Sequence, residues 1–169
     1  MKNIKSLLVV LIVIFAFSFS VSSQTVNLMS LDGEKIDVQG QKGKVVILAI
    51  GASWLPLSNQ QAIFTNKLAK KFAGRDVIIY FVATDSTSPK SKNYASDEDI
   101  RKFAATNKMG VPVLRDSDGA ITLKKFGIDQ LPSFVILGKD GKPAAEAYGG
   151  IDPKSDITVS IAQQVDKLL

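Results

Sequence analysis

Two apolar, β-branched runs dominate the hydrophobic pattern of the chain. Residues 44–50 and 77–83 are strand-length and apolar at almost every position. Strands buried on both faces read this way. Between them, Ile63, Phe64, Leu68 and Phe72 recur at helical spacing over residues 59–72. Ser58 stands before that helix as a natural N-cap, and Gly74 follows it as a stop. The order strand, helix, strand predicts a βαβ unit with a right-handed crossover and a parallel strand pair. In such sheets ligands bind beyond the carboxyl ends of the strands. The segment Ala52-Ser53-Trp54-Leu55-Pro56-Leu57-Ser58 occupies one of those ends.

The flanking segments follow the same logic. Residues 25–28 and a second stretch ending at Ile36 predict two short strands around an Asp32-Gly33 turn. Residues 84–95 are polar and predict a mobile surface loop. Ser96 and Asp99 predict a capping box opening a helix whose buried face carries Ile100, Phe103 and Ala104. Val111–Leu114 is a short extended piece. Asp116–Gly119 is a turn, and residues 120–126 are a short helix closed by Gly127. Phe134–Leu137 predicts a strand, Lys139–Lys142 a two-residue hairpin, and residues 144–148 its returning strand. Pro153 opens a last amphipathic helix through Ile157, Ile161, Val165 and Leu168.

The first residues belong to a different pattern. Lys2 and Lys5 precede an apolar run over residues 7–17, and small polar residues around Val21-x-Ser23 precede Gln24. This predicts a signal peptide over residues 1–23 and one exported domain over 24–169, in the periplasm or cell envelope or secreted. A retained membrane anchor needs about 20 apolar residues, and this run is shorter. No cysteine follows it, so a lipid anchor is excluded. Membrane contact is expected only if the leader is retained.

Composition sharpens this picture by omission. The 169 residues contain no cysteine and no histidine. An exported chain meets an oxidising compartment, yet this one can form no disulfide, thiolate or imidazole metal site. No cofactor is expected. Asp116-x-Asp118-Gly119 lacks the further oxygen ligands and final Glu of a calcium loop, so a plain turn is expected there. The net charge is +5. Setting Lys2 and Lys5 aside leaves 19 basic residues against 16 acidic, or +3. These bases are scattered over several elements, which argues against a nucleic-acid partner.

Three features together resemble the thioredoxin-like superfamily, in particular the exported redoxins of the TlpA-like type. The first is Trp54 and the four residues after it, between a strand and a long helix, where the family reads Trp-Cys-x-x-Cys. The second is Leu131-Pro132 before Ser133–Leu137, similar to the family's cis-proline strand. The third is the run Pro112, Asp116, Phe126-Gly127-Ile128, Asp140-Gly141 and Gly149-Gly150. The resemblance implies an α/β fold with a central mixed sheet flanked by helices on both faces. It also implies thiol–disulfide chemistry.

The resemblance places Leu55 at the attacking cysteine and Ser58 at the resolving cysteine. Ala49 stands where many relatives carry a polar residue. Leucine cannot form a thiolate, and a serine without a base is no nucleophile. No catalytic residue is therefore assigned. The expected function is a non-catalytic module that binds an extended peptide or an envelope protein. Its site is expected at Trp54, Leu55, Pro56, Leu57, Leu131 and Pro132. The alternatives are a residual or partner-dependent redox role, and a structural subunit docking through the loop 86–95.

Overall fold

A computed structural model describes residues 25–169; the expected signal peptide lies outside the described residues. A six-stranded mixed sheet runs through the domain in the order β2-β1-β5-β4-β3-β6. Its strands are β1 (Asn27–Ser30), β2 (Lys35–Asp37), β3 (Val45–Gly51), β4 (Val77–Ala83), β5 (Val113–Arg115) and β6 (Ser133–Leu137). The helices are α1 (Pro56–Lys71), α2 (Asp97–Thr106), α3 (Thr122–Phe126) and α4 (Thr158–Asp166).

The two apolar runs pair as expected. β3 and β4 are parallel, from Val45 opposite Val77 to Gly51 opposite Ala83. β6 returns antiparallel on the other side of β3, with Ile50 opposite Ser133. Side chains of a strand alternate between faces, so β3 feeds two cores. Val45, Ile47 and Ala49 pack with Phe64 and Leu68 of α1, Ile100 of α2 and Ile161 of α4. Val46, Leu48 and Ile50 pack on the opposite face with Leu28, Leu114 and Leu123 and Phe126 of α3. Helices thus cover both faces of the sheet, and a strand buried on both sides needs apolar residues at every position.

Several boundaries differ from expectation for local reasons. Ser58 is not the N-cap of α1. Leu55 holds that position with extended φ and ψ and no side-chain cap, and Pro56 starts the helix. Proline suits a first turn because its missing N–H would have no intrahelical partner. The returning segment after the hairpin is not a continuous strand. It touches β6 through two isolated bridges, Pro143 to Leu137 and Tyr148 to Phe134. α4 starts at Thr158, five residues after Pro153, because the Asp152 and Asp156 carboxylates hold local turns at Lys154 and Thr158.

The loop expected to be mobile is anchored at its base. Thr84, Asp85, Ser86 and Ala95 are buried. The Ser86 N–H donates to Asn93 O at 2.9 Å, and the Ala95 N–H to Ser86 O at 3.2 Å. The Arg115 guanidinium donates to Ala95 O from both terminal nitrogens, at 3.1 and 3.0 Å, and pairs with Asp97 at 3.0 Å. A cation so largely withdrawn from solvent needs such partners. The capping box of α2 forms as expected, with the Asp99 N–H on Ser96 Oγ and the Ser96 N–H on Asp99.

Candidate functional site: the β3–α1 junction

β3 ends at Gly51, and the chain turns into α1 over four residues. The Leu55 N–H donates to Ala52 O at 3.1 Å, closing the turn. The Ala52 N–H donates to Ser58 Oγ at 3.3 Å. Ser58 is fully buried in the first turn of α1. Its hydroxyl oxygen accepts from the backbone of the turn, and among the described residues no acid or amine side chain bonds it.

Gln61, one turn further, is also buried. Its Nε2 donates to Ile50 O at 3.2 Å and to Ser133 O at 2.8 Å. One amide thus ties the ends of β3 and β6 to α1. The fit is close around Gly51. A Cβ there would lie 2.3 Å from Gln61 Oε1 and 2.9 Å from Ser58 Oγ. Only glycine leaves room for both side chains.

The residues expected at the site fall into two sets. Trp54 is 50% exposed and Leu57 36% exposed, while Pro56 is exposed and Leu55 half-buried. These four form an apolar rim at the head of α1. Leu131 and Pro132 lie at the same end of the sheet, because they immediately precede Ser133, the partner of Ile50. The Leu131–Pro132 peptide bond is cis. Leu131 is half-buried and Pro132 buried, so the proline ring lies beneath the surface. Among the described residues, neither the N–H nor the C=O of Leu131 has a hydrogen-bond partner. Ser133 Oγ donates to Gln130 O just before it.

Two buried carboxylates flank the same end of the sheet. Asp85, after β4, accepts hydrogen bonds from Ser53. Asp116, after β5, accepts from the N–H groups of Ile121 and Thr122 and from the Thr122 hydroxyl. Asp116 is thereby committed to starting α3. Among the described residues, no group of three or more acidic side chains could hold a metal ion. Sequence reasoning missed Asp85 and Gln61. Both sit in polar stretches, where pattern gives no sign of burial.

An open six-stranded sheet with a helix-head junction beside a cis-proline loop defines the thioredoxin-like class. The solved structures agree. A thiol:disulfide interchange protein DsbE from Chlorobium tepidum superposes with a TM-score of 0.69 at 21% identity, covering 85% of this chain and 92% of that one. The exposed lipoprotein thioredoxin Etrx1 of Streptococcus pneumoniae superposes at 0.66 with 27% identity, covering 85% of this chain and 99% of the other. The Redoxin family model matches residues 17–165, and the chain belongs to that family. Its relatives include the thiol-disulfide oxidoreductase ResA of Bacillus thuringiensis, 31% identical over 119 residues, or 70% of this chain and 63% of that protein. The thioredoxin-like protein YneN of Bacillus subtilis is 30% identical over 115 residues, 68% of this chain and 62% of that protein. The chain spans less than two thirds of the length of these relatives. Unlike a thiol-disulfide oxidoreductase, it has no cysteine.

Proposed function

We propose that this redoxin is an exported, non-catalytic binding module of the cell envelope. It holds an extended peptide, or an extended segment of an envelope protein, across the head of α1 and the loop before β6. The observation that carries this reading is the pairing of an open backbone with an apolar rim. The free N–H and C=O of Leu131 offer strand-like hydrogen bonds. Trp54, Leu55, Pro56 and Leu57 offer apolar contact alongside. Peptide recognition by strand addition uses this division, main chain for affinity and side-chain contacts for selection. Leu55 and Ser58 contribute no thiolate, and the Ser58 oxygen is engaged internally. Export is supported by the leader pattern and by the description of Etrx1 as an exposed lipoprotein.

The test is retention of the purified mature chain on an immobilised unfolded peptide, the alkylated insulin B chain. Retention that is lost on changing Trp54 and Leu55 together to Ala is the expected result. A chain that passes through unretained, and that carries no envelope protein through purification, sinks the reading.

A second reading is a partner-dependent redox role, favoured by the names of the relatives. It requires every thiol to come from the partner, since this chain has none. Insulin reduction by the purified chain alone is expected to show no turnover.

A further inference from the structure

The apolar rim is held in place from below by a residue outside it. Asp85 follows β4 and is fully buried. Both of its carboxylate oxygens accept from the Ser53 N–H, each at 3.0 Å, and Oδ1 also accepts from the Ser53 hydroxyl at 2.6 Å. Ser53 is the residue immediately before Trp54. A buried carboxylate is costly unless its lone pairs are satisfied, and among the described residues the satisfaction comes from one loop residue. The short hydroxyl contact has the length of a charge-assisted bond.

Asp85 is itself fixed to the sheet. Beside it, the Thr84 N–H and hydroxyl donate to Gly51 O at 2.8 and 3.0 Å, joining the ends of β4 and β3. The Arg115 guanidinium reaches Asp85 O at 3.4 Å from β5. The carboxylate is therefore mounted on three adjacent strands and grips the turn that carries Trp54. Among the described residues, no hydrogen bond holds the indole, which is half in solvent.

We propose that Asp85 is a positioning residue: through Ser53 it fixes the turn so that Trp54 stands ready for a partner. This rests on the reading of Trp54 as a contact residue. A loop ordered in advance loses less entropy on binding. Without Asp85 the turn keeps only the bonds from Leu55 N–H to Ala52 O and from Ala52 N–H to Ser58 Oγ, and the order that Ser53 brings would have to be gained at the moment of contact.

Trp54 is the only tryptophan in the chain, so its fluorescence reports this turn alone. The experiment compares Asp85→Asn, Ser53→Ala and Ser53→Thr with the wild type by time-resolved anisotropy and by binding to alkylated insulin B chain. Asp85→Asn, with far-UV dichroism unchanged, is expected to add a fast nanosecond component to the Trp54 decay, the timescale of loop motion. It is expected to weaken peptide binding about tenfold, the factor that loss of one hydrogen bond to a charged group represents. Ser53→Ala shifts both readouts less, because the N–H bonds remain. Ser53→Thr, which keeps the hydroxyl, restores both. Should Asp85→Asn not fold, Ser53→Ala carries the test. A Trp54 decay identical to the wild type in the folded variants overturns the proposal. A wild type that binds no peptide, combined with a loosened Trp54 in the variants, removes the binding reading alone and leaves the positioning role standing.

Discussion

The side-chain amide of Gln61 donates to the carbonyl of Ser133 at 2.8 Å, joining α1 to the strand that follows the cis peptide bond. The same nitrogen also takes Ile50 O. On top of the β3–β6 pairing, this one residue ties the two halves of the candidate site, one on α1 and one before β6, to each other.

Gln61→Ala removes both bonds and leaves buried carbonyls and a cavity. A loss of about 2–3 kcal/mol of stability is expected. Urea unfolding monitored by far-UV dichroism measures it. A loss below half a kcal/mol, on the order of a surface change, would show that the amide does not join the two elements.

Gly51→Ala pushes a methyl group against Gln61 Oε1 and Ser58 Oγ. Overpacking of this kind costs about 1–3 kcal/mol. Combined with Gln61→Ala, the cost should shrink, because the main obstacle is gone. A double-mutant cycle is expected to give a coupling of about 0.5–3 kcal/mol. Strict additivity would contradict the close approach.

Leu55→Cys with Ser58→Cys places two thiols one turn apart at the start of α1. The double variant is expected to fold and to form an intramolecular disulfide under mild oxidation. The Ser58 change gives up the bond from Ala52, at about 0.5–1.5 kcal/mol. Thiol titration of the folded, oxidised variant checks the outcome. Two persistent free thiols would show that these positions are not the equivalents of the family's cysteines.

Trp54→Ala is expected to weaken peptide retention by roughly 10- to 30-fold, the scale of a buried aromatic anchor. Its effect on stability should be small, since the indole is half exposed. Titration calorimetry against alkylated insulin B chain separates the two quantities. Undiminished affinity would remove Trp54 from the contact surface.

The pH dependence has a defined sign at two exposed carboxylates. Hydrogen bonding from the Ser96 side chain, then from its backbone, holds Asp99 below its ordinary value of 3.8. The Lys67 ammonium and then the Thr158 hydroxyl do the same for Asp156. A carboxyl with a lowered folded-state pKa stabilises the fold above its unfolded value. That contribution fades as pH falls through the folded value. Acid therefore weakens the local bonds at the heads of α2 and α4. Carboxyl-detected NMR titration is expected to find both midpoints below 3.8. Ser96→Ala should raise Asp99 and leave Asp156 in place. An Asp99 midpoint unmoved by Ser96→Ala would contradict the capping box as its cause.

The apolar runs at β3 and β4 carry their own burial, because a strand enclosed on both faces must be apolar at every residue. The sequence by itself therefore determined the parallel pair, the helix between them, the capping box at Ser96 and the absence of any thiol. It also placed Trp54 at the end of a strand. Only the tertiary structure decided the roles of polar residues that fold inward. Ser58 reads as a cap, yet it is buried and holds Ala52, because Pro56 already starts the helix. Asp85 and Ser86 read as surface loop, yet they are buried, because Arg115 on a neighbouring strand closes that loop from below. The partners of Gln61 and Asp85 are 72 and 32 residues away in the chain. Hydrophobic periodicity records which face of one element is covered. It holds no information about a hydrogen bond made across two elements, and that is where the head of α1 acquires its shape.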